Sequence, residues 1–544
     1  VKDMVQVRGG ARKSYEGPEA RIGRSQFNRG HGLKMTFDAS RLVPCFLDEV
    51  LPGDTMTCRL NGFARIFSPL LAPVMDNITL ETFFFFCPTR LLWSNWVFFQ
   101  GEHDEAGAQD TDYTIPVLAT GWTVDQAAGI NTGHGLAGYM GLPHGLATAT
   151  VPGISVLPFR MYNRVINEWF RDQQLTGESQ FANVVSNGPD AVSVYGIARS
   201  NKKHDYFTSA LPYLQKGTAL TVSGDVVGDP LGAGGLGMPR FMASDSTPAS
   251  SGELFAETTA TAPSVGVEGA WTADEQMHWR DPELVASIDI NALRQAVAIQ
   301  RLLEKDARGG TRYVENIKTH FGVTSPDYRL QRPEYLGGGK AMINVSAVAN
   351  TSGVDSTVSI SGADEPQGEL RGVGTGVISG HGWAKSFTEH GYVMGLVRAR
   401  GDLTYFQGVD RMWTRSTRYD FYIPALANLG EQSITNKEIF VSNSTSVDNA
   451  VFGYQERWAE YRMKHSRLVG KFNPDVSGSL SMWHLAEDFT TLPSLNTVFV
   501  NDQTPMSRIQ AVTTEPDFLL DVWFDYKCAR PIPVRSIPSL VSRF

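Results

Sequence analysis

DFLLDVWFDYKC, residues Asp517 to Cys528, alternates without a break. Phe518, Leu520, Val522, Phe524, Tyr526 and Cys528 share one side; Asp517, Leu519, Asp521, Trp523, Asp525 and Lys527 share the other. A period of two with one apolar face is a half-buried β-strand. The same pattern occurs at 54–61, where Met56, Cys58 and Leu60 alternate with Thr55, Thr57, Arg59 and Asn61. A third strand is read from Asn77 to Cys87. Ile78, Leu80, Thr82, Phe84 and Phe86 make one face, and Phe83 and Phe85 make the other apolar as well. A strand buried on both sides implies a sheet with a layer packed over its back.

Helical periodicity is sparse. LPFRMYNRVINEWFRDQQL (157–175) places Phe159, Tyr162, Ile166, Trp169 and Gln173 at three-four spacing, with Pro158 in the first turn. Arg160, Asn163, Arg164, Asn167 and Arg171 fill its other faces. DINALRQAVAIQRLLEKDAR (289–308) is a second helix, with Ala292, Ala296, Ile299 and Leu303 as its expected buried stripe and Gly309-Gly310 as its stop. A third is read over 311–321. Residues 340–408 read as β-rich with a glycine-rich break at 372–382. With 53 glycines and 28 prolines in 544 residues, the chain needs many turns and long connections. These features predict a mainly β protein with long insertions.

The charge of −9 is unevenly spread. Residues 1–40 carry +4 and read as a basic, glycine-broken arm; 101–156 and 218–282 are acidic, rich in Gly, Ala and Thr, and read as insertions. The predicted layout is an arm over 1–40, a first β part over 41–217, an acidic surface insertion over 218–282, and the remaining strands, helices and extended tail over 283–544. No apolar run is long enough to span a membrane, and the opening VKDMVQVRGGARK has no secretory core. Cys45, Cys58, Cys87 and Cys528 lack CxxC spacing and are expected to be free, buried thiols.

Catalytic or ligand-binding patterns are weak. Gly372 to Gly376 lacks the strand–turn–helix setting of a dinucleotide loop. Glu102, His103, Asp104 and Glu105 lie on one acidic turn without a second cluster of metal ligands. His278, His381, His390 and His484 form no HExxH, and no GxSxG is present. Arg308 to Arg312 reads as a joint between helices. No catalytic residue, metal or cofactor is predicted.

Several blocks resemble one family in consistent order. They are PFRMYN with NEWFRDQ (158–173), the stretch with Phe27, Asn28, Arg29, His31, Thr36, Phe37 and Asp38, PLLAPVMD (69–76) with PTRLLWSNW (88–96), RSNKKHDYFTSALPYLQKG (199–217), VTSPDYRLQRPEYLGG (323–338), QERWAEYR (455–462) and RPIPVRSIP (530–538). This wording resembles the major capsid proteins of microviruses of gokushovirus type, small single-stranded-DNA phages. Tyr213 and Leu214 stand where the family text has Trp and Pro.

The resemblance implies a viral jelly roll, an eight-stranded antiparallel barrel with long loop insertions and few helices. It implies a structural, non-enzymatic protein of the virion, made in the host cytoplasm. The implied assembly is a T=1 icosahedral shell, built through pentamers around circular single-stranded DNA, with a small basic DNA-packaging protein. The insertion 218–282 would project outward and meet a host receptor. Arg8, Arg12, Lys13, Arg21 and Arg24 are the expected DNA-facing residues. Arg160, Arg164, Trp169, Arg171, Arg457, Trp458 and Tyr461 are the expected subunit contacts, being Arg and aromatic residues of the kind enriched at interfaces. The competing readings are a glycan-active β-barrel with Glu102, Asp104 or Asp112 as acid or base, and a glycan-binding or other monomeric β-sandwich module.

Overall fold

A computed structural model describes residues 23–102, 113–119, 135–143, 153–214, 225–226, 254–257, 264–267, 286–287, 290–310, 312–349, 351 and 368–535. The expected DNA-facing Arg8, Arg12, Lys13 and Arg21, the acidic candidates His103, Asp104, Glu105 and Asp112, His278, and most of 218–282 lie outside these residues.

Eight antiparallel strands build the body: β1 (His31–Phe37), β2 (Val43–Val50), β3 (Thr55–Ile66), β4 (Ile78–Pro88), β5 (Glu334–Ala349), β6 (Leu370–Ser386), β7 (Gly391–Arg400) and β8 (Phe518–Arg530). Their hydrogen-bonded order is 1-8-3-6-5-4-7-2. Two four-stranded halves, 1-8-3-6 and 5-4-7-2, joined by the β5–β6 pairing, have the nested Greek-key winding of a jelly roll. The side chains predicted to face inward from β8 are all buried. They meet Met56, Cys58 and Leu60 of β3, Phe84 and Phe86 of β4, and Val393 and Val397 of β7 in one core.

The strand read as buried on both faces has a second layer on its back. Phe85 and Cys87 of β4 pack with Met394 and Leu396 of β7 against Leu157, Phe159, Met161, Tyr162 and Val165 of helix α1 (Leu157–Val165). The Tyr162 hydroxyl donates to the Leu42 carbonyl at 2.8 Å and accepts from the Ala198 amide at 2.9 Å, stitching the layer to the chain entering β2. A third cluster, including Tyr206, Phe207, Tyr405, Ile434, Phe452 and Phe499, holds the long loops between β7 and β8.

Four expectations are corrected. The arm is shorter than 1–40, because Ser25–Asn28 and β1 both pair with β8. Gly30 and Gly32 do not break the chain there; the Trp523 ring lies beside both, where a side chain would stand. The helix expected over 157–175 leaves α geometry after Val165, makes one wide turn over Ile166–Phe170, and is extended at Arg171. Arg312, distant in sequence, donates to the carbonyls of Asn167 (2.9 Å) and Arg171 (2.7 Å) and so satisfies the helix end.

The glycine-rich break at 372–382 is instead continuous strand β6. Gly374 sits where Ile66 would collide with a Cβ, so glycine lets the strands approach. The real irregularity is a bulge between Ile378 and His381, with Gly380 at φ +75°. Finally, helix α2 (Ile290–Gly309) does not bury its predicted stripe: Ile299 is exposed, and Ala296 and Leu303 are half-buried. Leu293 and Val297 are apolar on another side of the helix, so no single face gathers its hydrophobic residues.

The chain divides into two compact units, one formed by Val1–Leu214 with Gly309–Phe544 and the other by Gln215–Arg308. The described parts of the second unit are two short antiparallel pairs, Asp225–Val226 with Ala286–Ser287 and Leu254–Glu257 with Ser264–Val267, together with α2. The four cysteines are free and buried. Burial pushes the thiols of Cys45, Cys58 and Cys87 up to about 12.

Candidate functional site

The polar side of α1 faces protein. Arg160 is 2 % exposed and forms a bidentate pair with Asp190, Nε to Oδ2 at 2.8 Å and Nη2 to Oδ1 at 2.7 Å. Its remaining nitrogen donates to the Leu92 carbonyl at 3.1 Å, and the Tyr195 hydroxyl donates to Asp190 at 2.5 Å. Asn163 donates to the carbonyls of Ala182 and Val194. Arg164 reaches the carbonyls of Leu91 (3.1 Å) and Gln331 (3.2 Å), and the Trp169 indole N–H reaches that of Pro333 at 2.9 Å. Arg332 lies 4.4 Å over the Trp169 ring. Arg171 donates to the Thr176 carbonyl at 2.9 Å. These side chains fasten extended loops whose backbone groups have no sheet partner.

The other expected contacts stand on a different surface. Trp458 is buried, with its indole N–H on the Leu426 carbonyl at 3.0 Å and Arg457 4.4 Å over its ring. Tyr461 is exposed. Around it lies a stretch without long elements, RMWTRSTRYDFY (411–422), whose Trp413, Tyr419, Phe421 and Tyr422 are all exposed. Arg415 lies over both Phe421 (5.3 Å) and Tyr461 (4.5 Å), and Tyr422 meets Trp458 edge-on at 5.5 Å. Arg457 donates to the Tyr419 carbonyl at 3.0 Å.

Ion pairs hold this platform in place. Arg411 meets Glu438 at 3.3 Å, and Arg415 meets Glu460 at 3.4 Å. Asp420 accepts from the backbone of Thr417 and Ser416, which holds its carboxyl down at about 2. The rings are thus presented at little cost in conformational entropy.

Sequence reading identified Arg457, Trp458 and Tyr461 but passed over 411–422. Its mixture of Arg and aromatic residues without strand or helix period was the available signal. Arg160 and Trp458 have no surface left to offer a neighbour, whereas Arg457 and Tyr461 do. Arg24 is exposed at the start of the barrel and donates to the Thr55 hydroxyl at 3.3 Å.

Among the described residues, catalytic geometry does not gather around the earlier candidates. His381 is buried with its Nδ1 2.7 Å from the Thr82 hydroxyl, and His484 contacts the Phe472 carbonyl at 2.8 Å. Among the described residues no group of three His, Cys, Asp or Glu is placed to hold a metal, and no helix is long and apolar enough to cross a membrane.

Residues 16–540 match the family described as capsid protein (F protein). The chain is 42% identical to capsid protein VP1 of Bdellovibrio phage phiMH2K, covering 97% of both chains. It is 39% identical to capsid protein VP1 of Chlamydia phage 1, covering 96% of this chain and 97% of that one. It is 32% identical to capsid protein VP1 of Spiroplasma virus 4, covering 95% and 96%.

Proposed function

Since this chain belongs to the capsid protein (F protein) family, we propose that it builds a T=1 icosahedral shell, through pentamers, around a circular single-stranded DNA genome. Membership makes it a structural, non-enzymatic component of the virion that assembles with copies of itself, and the glycan-active alternative falls with it. In the proposed cycle the chain is made in the host cytoplasm and packages DNA with a small basic protein. The arm bearing Arg8, Arg12, Lys13, Arg21 and Arg24 points inward, and the insertion 218–282 projects outward to a host receptor.

The observation that carries assembly is the platform of Phe421, Tyr422, Arg457 and Tyr461. Large rings ordered by salt bridges yet left open to water are what interfaces use as anchors. Arg164, Trp169 and Arg171 belong to the same proposal to the extent that their partly open surfaces meet neighbours.

Phe421→Ala and Tyr461→Ala test the platform. Both rings are exposed, so unfolding of the isolated chain should shift by no more than about 0.5 kcal/mol. Particle formation, followed by sedimentation, should need roughly tenfold more protein for a loss of about 1.4 kcal/mol per contact. Unchanged assembly in both variants removes the platform from the subunit interface.

A further inference from the structure

The two outer faces of the barrel are unlike. The back of sheet 5-4-7-2 is covered by α1 and its loops. On the back of sheet 1-8-3-6, Trp523 (56 %), Phe63 (46 %) and Val377 (67 %) stand exposed. Phe63 lies opposite Asp521 on β8 and Val377 on β6, and Trp523 is the next outward residue along β8. The two rings are therefore diagonal neighbours, about 7–8 Å apart at the backbone. Beside them a cavity of about 710 Å³ opens, lined by Lys34, Phe63, Arg65, Tyr139, Leu519 and Asp521 among others.

The charges on this face distinguish it from the 411–422 platform. There, Arg411, Arg415, Arg462 and Arg467 are each paired with a carboxylate, while Arg418 and Arg457 lie over the Tyr419 and Trp458 rings. Here, Lys34, Arg59 and Arg65 have no ion pair or side-chain hydrogen bond among the described residues. Asp525 is held by Lys527 at 3.6 Å, which leaves Asp521 as the opposing carboxylate between Lys34 and Phe63. Three uncommitted cations beside two open rings leave a positive surplus on a chain whose net charge is −9. The strand that leads back to the arm, Ser25–Asn28, pairs with β8 on this same sheet.

From this we infer that the back of sheet 1-8-3-6 binds single-stranded nucleic acid without reading its sequence. Trp523 and Phe63 stack bases, and Lys34, Arg59 and Arg65 neutralise phosphates. Ring faces accept any base, and cations with no internal partner are free to release counterions to a phosphate chain. A second protein chain is the competing occupant. The uncommitted cations argue against it, because unpaired charge is depleted at the centre of a protein interface. The inference rests on the capsid reading for the source of the nucleic acid. It adds that this face looks toward the packaged strand.

The test uses the purified full-length chain, a fluorescent oligo-dT of about 16 nucleotides, and sedimentation run in parallel. The variants are Trp523→Leu, Phe63→Leu and the triple Lys34→Gln, Arg59→Gln, Arg65→Gln. Each ring variant should weaken oligo-dT binding roughly 5- to 150-fold. The triple variant should lower the salt slope by about 2, at roughly 0.7 per phosphate. Both effects are expected with the sedimentation profile and circular dichroism of the parent. Unchanged affinity and slope overturn the inference. So does loss of self-association in Trp523→Leu while the chain stays folded, since that result makes the face a protein contact. A parent chain that never self-associates under any condition counts against the capsid reading instead, whatever the oligo-dT result.

Discussion

Arg160 shows what a single residue can conceal. From the helical pattern it belonged to a polar back, available to a neighbouring subunit. In the fold it is sealed with Asp190, each side chain no more than 2 % exposed. A buried pair of this kind contributes little net stability, but breaking it strands a charge. Asp190→Ala should therefore cost about 3–5 kcal/mol, while joint replacement of both by apolar residues should cost much less. Urea denaturation of these two variants and of Arg160→Leu alone decides this, and additive losses would sink the idea.

Asp517, at the lip of β8, makes a second test. Burial pushes its carboxyl up to about 6, with neighbouring Asp38 also raised by burial. A carboxyl with a higher pKa folded than unfolded favours the fold while protonated. That stability is present below about pH 4, the unfolded value, and is lost as pH rises through about 6. Asp517→Asn keeps an acceptor for the Ala39 amide, which Asp517 now holds at 2.8 Å. Relative to that variant, the parent should lose about 2 kcal/mol between pH 4 and pH 7. Parallel pH profiles would refute the assignment.

At the scale of elements, glycine carried the misreading of β6. The run at 372–382 suggests a break, yet it lies within β6, and the glycines at 337–339 likewise lie within β5. Their sequences mark close approach: a Cβ at Gly338 would run into the Thr82 carbonyl of β4. Gly338→Ala must push β5 off β4 at the centre of the barrel. A loss of about 3 kcal/mol or more is expected, of the size seen for overpacking, against about 0.5 kcal/mol for Gly196→Ser in an open stretch with no neighbour near. Thermal melts of the two variants compare them directly. Equal melts would show that β5 and β4 are not this tightly apposed. β8 offered no such difficulty, because an alternating strand with one wet face states its own geometry.

For the whole molecule, the compact unit Gln215–Arg308 exceeds the insertion read at 218–282 by including α2. The segment 218–282 carries −7, a charge that would repel packaged DNA, which motivates the proposal that it lies outside. Replacing 218–282 by a Gly/Ser linker should leave particle assembly intact and change adsorption to the host. Loss of particles with the rest of the chain folded would make the segment part of the wall. Unchanged adsorption would leave it a decoration without a receptor.

Read alone, the sequence determined the class of the fold, three of its long strands, where three of its helices begin and the burial of its cysteines. Each of these is written in local periodicity or in a short apolar context, where neighbours along the chain are also neighbours in space. The family wording extended this to the jelly roll. Tertiary structure alone decided the rest, because the deciding partner lies far away in sequence. Arg312 holds the wide turn that follows α1, Trp523 covers Gly30 and Gly32, Asp190 claims Arg160, and Thr82 forbids a side chain at Gly338. Whether an arginine remains free for another molecule depends on whether the fold has already brought it a carboxylate, and no pattern along the chain records that distance.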